Sequence, residues 1–158
     1  MAFRARFIPK NASKYVGDIE KIFARSSWEL TVMKFFDSSS AVIRWGSEEQ
    51  VIPYLSPVDS RVHEYWPDFF VEYVDKTGAT KKEVVEVKPR HESVEQYAKS
   101  ERSKAALEVN EAKWKAANIF CESRGWTFRV ITEHSIYHQG VKQTKPPKVR
   151  KKKELVSG

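Results

Sequence analysis

From Glu92 to Arg124 the chain has neither glycine nor proline and is rich in Ala, Glu and Lys. Leu107, Trp114, Ala117 and Cys121 recur there at helical spacing, with Ala106, Asn110 and Lys113 on a neighbouring face. One long helix, or two in sequence, is expected, terminated by Gly125. Strand-like segments flank it: Glu83–Lys88, halted by Pro89, comes before, and the alternating Trp126–Thr132 comes after. A strand, a long helix and another strand in succession must pack as layers, which confines the chain to a mixed α and β domain.

Upstream, Ser26 and Glu29 have the spacing of a capping box. Leu30, Met33 and Phe35 or Phe36 follow at helical spacing until Ser38, Ser39 and Ser40. Ala41–Trp45 and Val51–Tyr54 read as strands, and Pro57, Asp59 and Ser60 as a turn. Tyr65 to Val74, rich in aromatic and β-branched residues, reads as one strand with Pro67 near its start. Lys76–Thr77–Gly78 reads as a hairpin loop. The expected order is therefore helix, three or four strands, helix, strand. At 158 residues the chain is expected to be one domain over 19–138, between a basic arm over 1–18 and a disordered tail over 139–158.

Composition excludes several classes. A single cysteine, Cys121, rules out a disulfide framework and reads as a core residue. No apolar run approaches about 18 residues, and Met1–Lys10 lacks a signal-peptide core, so a soluble intracellular protein with no membrane partner is expected. The net charge of +7 is concentrated at the ends. Residues 141–158 carry a surplus of +6, and Arg4, Arg6, Lys10 and Lys14 precede the first acid, Asp18. Such a distribution favours nucleic acid as the partner, because basic segments release counterions from phosphate.

The chemistry is concentrated at Pro67–Asp68 and at Glu86–Val87–Lys88. Alternate side chains of a strand share a face. Glu86 and Lys88 are thus expected on one open face, with Val85 and Val87 buried on the other. A hairpin through Gly78 would bring Asp68 beside Glu86. Adjacent carboxylates repel unless a cation lies between them, and Mg²⁺ binds through one or two carboxylates plus substrate phosphate. A lysine two residues beyond the glutamate would reach the attacking water or the scissile phosphate. Such a set suits phosphodiester hydrolysis.

These residues resemble the PD-(D/E)xK signature of restriction-endonuclease-like nucleases. The resemblance implies an α/β fold with an αβββαβ core, a mixed central sheet flanked by helices. Glu29 matches the extra helical acid that many members use as a metal ligand. Further strings narrow it: Pro9–Lys10–Asn11, Lys14–Tyr15–Val16–Gly17–Asp18, Arg25–Ser26–Ser27–Trp28–Glu29–Leu30, Trp45–Gly46–Ser47–Glu48–Glu49, Ile52–Pro53–Tyr54, Tyr65–Trp66–Pro67–Asp68–Phe69 and Glu86–Val87–Lys88–Pro89. Together they are similar to the head-completion nucleases of T-even-type tailed phages. That resemblance implies a metal-dependent DNA endonuclease acting on the packaged genome, with phage head or portal proteins as partners. It implies the host cytoplasm during assembly and association with the virion. It carries over Glu29, Asp68, Glu86 and Lys88 as the catalytic set. Glu29, Asp68, Glu86 and the main-chain carbonyl of Val87 become the metal ligands, for Mg²⁺ with Mn²⁺ as a substitute. A homodimer is left open.

Each residue also has an ordinary structural explanation. Glu29 could simply close the capping box. Asp68 could be a turn residue, and Glu86 with Lys88 a surface ion pair worth little. Lys113, Arg102, Lys151, Lys152 and Lys153 are candidates for DNA phosphate contacts, or for solvated faces. His63, His91, His134 and His138 lack ligand spacing and read as surface residues, and Glu48 and Glu49 read as loop. Two other functions compete with the endonuclease. One is a non-catalytic DNA-end or portal-binding protein on a nuclease fold; the other is a transposase or junction-resolving nuclease subunit.

Overall fold

The computed structural model describes residues 3–89 and 99–132. In chain order these form β1 (Ala5–Arg6), β2 (Phe23–Ala24), α1 (Ser27–Ser38), β3 (Val42–Ser47), β4 (Ile52–Leu55), β5 (Val62–Tyr65), β6 (Phe69–Val74), β7 (Thr80–Val87), α2 (Glu101–Glu122) and β8 (Thr127–Ile131). Short 3₁₀ turns occupy Ala12–Lys14 and Ile19–Lys21.

Local sequence explains most boundaries. Ser26 is extended (φ −151°), and its hydroxyl accepts the Glu29 N–H at 3.0 Å, which starts α1. The Asp75 carboxylate accepts the N–H groups of Thr77 and Ala79, and Gly78 takes a positive φ of 85°; together these turn β6 into β7. Gly125, at φ 71°, follows the last turn of α2.

The central sheet has the order β3-β6-β7-β8. The first two pairings are antiparallel and β7–β8 is parallel, with α2 as the crossover. Phe69, Val71, Val85, Val87 and Ile131 share one core with Val32, Met33 and Phe36 of α1. Trp45 lies at its centre, ringed by Phe7, Tyr15, Phe36 and Phe69 with centroids 4.7–6.4 Å away. A second cluster joins the β4–β5 hairpin to α2 through Ile52, Tyr54, Tyr65 and Ala117, with Trp114 packed against it. Cys121 is buried in α2, and burial pushes its thiol up to about 11. No helix among the described residues is long and apolar enough to cross a membrane.

Three expectations need correction. Tyr65–Val74 is two strands, because Trp66–Pro67–Asp68 breaks the run: β5 pairs with β4, and only β6 joins the central sheet. Residues 3–18 do not project as an arm. Ala5 and Arg6 pair with Ala24 and Phe23, and Phe7 is buried against Trp45. Lys10 and Asn11 donate their N–H groups to the Asp37 carboxylate at 2.9 and 3.0 Å. The Lys14 ammonium donates to the carbonyls of Asp37 (3.1 Å) and Ser39 (2.6 Å), so it serves the C-terminus of α1. Finally, the face of β7 expected to be open is covered: every residue from Glu83 to Val87 is buried. His91, His134, His138, the start of the Gly- and Pro-free stretch and the basic tail lie outside the described residues.

Candidate active site

Two hydrogen bonds fix the spacing of Asp68 and Glu86. The Asp68 N–H donates to Glu86 Oε2 at 3.1 Å, and the Val87 N–H donates to Asp68 Oδ2 at 2.7 Å. The register that pairs Phe69 with Val85 sets this up, so the aspartate entering β6 and the glutamate near the end of β7 are neighbours across the ladder. Lys88 Nζ lies 3.7 Å from Glu86 Oε1, and its N–H is tied to the Ile131 carbonyl at 2.9 Å. Asp68, Glu86 and Lys88 thus come together as the sequence predicted.

Glu86 is only 4% exposed, because Tyr65 lies against it and its hydroxyl donates to Oε2 at 2.8 Å. Burial raises the Glu86 carboxyl, while Lys88, the Tyr65 hydroxyl, the Asp68 N–H and Lys113 pull the other way. Asp68 is lifted well above the usual carboxylate range, first by burial and then by the charges of Glu86 and Glu29. The Val87 N–H and Lys88 offset this in part. A pair of carboxyl groups that both resist ionisation is a site arranged for a cation.

Glu29 sits in the first turn of α1, where its Oε2 accepts the Ser26 hydroxyl at 3.2 Å. Its carboxyl is raised mainly by burial. The carboxylate thus engages the N-cap serine through its hydroxyl, and its charge is nonetheless felt at Asp68. Lys113 reaches the site from the middle of α2, its Nζ 5.7 and 5.6 Å from the ring centroids of Tyr54 and Tyr65. Arg102 is exposed in the first turn of α2. Lys151, Lys152 and Lys153 lie outside the described residues. His63 pairs with Asp59 at 2.7 Å in the hairpin.

Sequence reading missed Tyr65 as a partner of the glutamate. Its position two residues before Pro67 carried no signal, since the contact depends on the β4–β5 hairpin folding back. It also missed Glu48. That residue has a positive φ of 54°, donates its N–H to the Asp68 carbonyl at 3.1 Å and pairs its carboxylate with Arg25 at 3.1 Å. The Glu48 loop therefore braces the backbone of Asp68.

Oδ2 of Asp68 and Oε2 of Glu86 are taken by protein donors. Oδ1 of Asp68 and Oε1 of Glu86 have no hydrogen-bond donor among the described residues. No group of three or more His, Cys, Asp or Glu side chains among the described residues is gathered tightly enough to cage an ion. Two hard carboxylate oxygens without a protein donor suit Mg²⁺, which binds through one or two carboxylates plus water and substrate phosphate.

A mixed four-stranded sheet with an acid on the first helix, an aspartate entering one strand and Glu-x-Lys leaving the next defines a restriction-endonuclease-like nuclease, with three core strands in the αβββαβ order and the β4–β5 hairpin inserted. The chain belongs to the family described as TnsA-like endonuclease N terminal, which it matches over residues 39–133. It is also similar to the head completion nuclease of Enterobacteria phage T4, with 34% identity over 152 residues, covering 90% of this chain and 99% of that protein. The family match includes Asp68, Glu86, Lys88 and Lys113; Glu29 lies before it.

Proposed function

We propose that this chain is a Mg²⁺-dependent DNA endonuclease acting in phage head completion, in the host cytoplasm during assembly and against head or portal proteins. The observation that carries this reading is the Asp68–Glu86 pair. It is held by two backbone donors, with one oxygen of each residue left over and Lys88 3.7 Å from the second. The similarity to the T4 head completion nuclease supports the setting.

Asp68, Glu86 and the Val87 carbonyl would hold the ion, and Glu29, which is not gathered tightly with them, would act on it through its charge. When bound, the ion would neutralise phosphate charge and make water more acidic. Lys88 orients the attacking water and offsets charge growing on the non-bridging oxygens. The water oxygen bonds to phosphorus, the P–O3′ bond breaks and O3′ gains a proton, leaving a 5′-phosphate and a 3′-hydroxyl. Tyr65 and the Asp68 N–H keep the Glu86 carboxylate fixed during this exchange.

The test is cleavage of supercoiled plasmid and linear duplex in Mg²⁺, Mn²⁺ or EDTA, comparing the natural sequence with Asp68→Ala and Lys88→Ala. Metal-dependent nicking that both substitutions abolish is expected. Cleavage that persists in a clean preparation of Asp68→Ala would refute the site. Binding without cleavage in any metal would favour a non-catalytic DNA-end or portal-binding role.

A further inference from the structure

The long helix α2 carries an anomaly. Its buried residues Leu107, Asn110, Ala117 and Cys121 follow helical spacing along one stripe. Lys113 stands three residues after Asn110 and four before Ala117, at the edge of that stripe beside Trp114, which continues it. Lys113 is half-buried, and among the described residues it makes no ion pair. Its ammonium rests instead against the rings of Tyr54 and Tyr65. These rings sit on the face of the hairpin that packs on α2, so they stabilise the cation without neutralising it.

The surroundings indicate what the charge is for. Tyr65 touches Glu86, so the ring that supports Lys113 also borders the catalytic pair. Burial and the charge of Lys88 both make Lys113 harder to protonate, and Glu86 and Asp68 oppose them. Lys88, leaving β7, lies 3.7 Å from Glu86 Oε1, and Lys113, on α2, lies 5.6 Å from the ring whose hydroxyl donates to the same glutamate. With a divalent ion on the carboxylate pair, two nearby ammonium groups would give the site a surplus of positive charge, and the substrate phosphate is the anion that would balance it.

We propose that Lys113 is a second catalytic cation, contacting a non-bridging oxygen of the scissile phosphate from α2 while Lys88 acts beside Glu86. This deepens the nuclease reading and rests on it. Lys113 makes and breaks no covalent bond. It stabilises the charge that grows on phosphorus as water attacks, in a partly dehydrated site where such a charge acts strongly.

The experiment compares the natural sequence, Lys113→Met, Lys113→Arg and Asp68→Ala. Single-turnover nicking of supercoiled plasmid is measured in Mg²⁺ with protein in excess, and affinity for linear duplex is measured in EDTA. Lys113→Met should lose about 10²–10³-fold in rate at saturation, the usual cost of deleting one donor to a developing oxyanion. Its duplex affinity should change by less than about threefold, since one phosphate contact among many is removed. Lys113→Arg should recover part of the rate. Its melting temperature should equal or exceed that of the natural sequence in Lys113→Met, because a half-buried amine is removed. A natural rate in Lys113→Met while Asp68→Ala is dead would overturn the proposal and leave the nuclease reading intact. So would a loss confined to duplex affinity, which would make Lys113 a simple backbone contact. An inactive natural sequence would overturn both.

Discussion

Tyr65→Phe removes one oxygen and keeps the ring that packs on Ile52 and α2. That oxygen donates to Glu86 Oε2 at 2.8 Å, with both residues 4% exposed, so water cannot readily replace it. A hydrogen bond to a charged group contributes about 1.5–3 kcal/mol. Glu86 retains the Asp68 N–H and the nearby Lys88, so the carboxylate is not orphaned and the loss belongs near the lower end, about 1.5 kcal/mol. For a chain of this size that is a fall in melting temperature of roughly 3–6 °C. Activity should respond in a particular direction. The Glu86 carboxyl is already raised by burial, and losing a donor to its ionised form raises it further. The ionised glutamate is then reached only at higher pH, so the acid limb of the cleavage profile moves upward while the rate on the alkaline plateau changes little. Thermal melts by circular dichroism and nicking rates between pH 5.5 and 9 give both readouts. An unchanged melting temperature with an unmoved acid limb would show that the tyrosine does not hold the glutamate.

Asp68→Asn should abolish cleavage yet stabilise the metal-free protein at neutral pH. The folded aspartate holds its proton above the usual carboxylate range, so folded protein binds more protons than unfolded protein. In EDTA the natural sequence should therefore gain stability as pH falls from neutral toward the usual carboxylate range. The variant should be flatter in urea titrations at pH 5 and 8; equal slopes would contradict this. Glu29→Gln separates capping from catalysis. Glutamine serves a capping box as glutamate does, so melting should hold while cleavage falls at least about 100-fold, whereas full activity would leave Glu29 a cap only. Phe7→Ala should cost about 3–4 kcal/mol by chemical denaturation, because the ring is buried against Trp45; a loss under about 0.5 kcal/mol would mean the first residues behave as a free arm.

Where the sequence pattern was local, it was legible. The Ser26 cap, the Gly78 turn and the Gly125 stop each depend on a few adjacent residues, and the strand–helix–strand order follows from them. Asp68, Glu86 and Lys88 were legible too, because a hairpin register follows from the turn and the alternation of the strands. Lys14 looked like a charge for DNA, yet it caps α1, since polarity alone does not say which carbonyls lie within reach. Glu86 looked exposed because alternation predicts two faces and says nothing about what covers each one.

The amino-acid sequence by itself determined the element order, the turn chemistry and the three charged residues at the ends of β6 and β7, because these rest on interactions between near neighbours. Only the tertiary structure decided that the β4–β5 hairpin folds onto α2, that Tyr65 donates to Glu86, and that Lys113 lies against the rings of Tyr54 and Tyr65. Tyr65 and Glu86 are 21 positions apart and Lys113 lies on the crossover helix, so their meeting depends on packing between layers that no local pattern encodes.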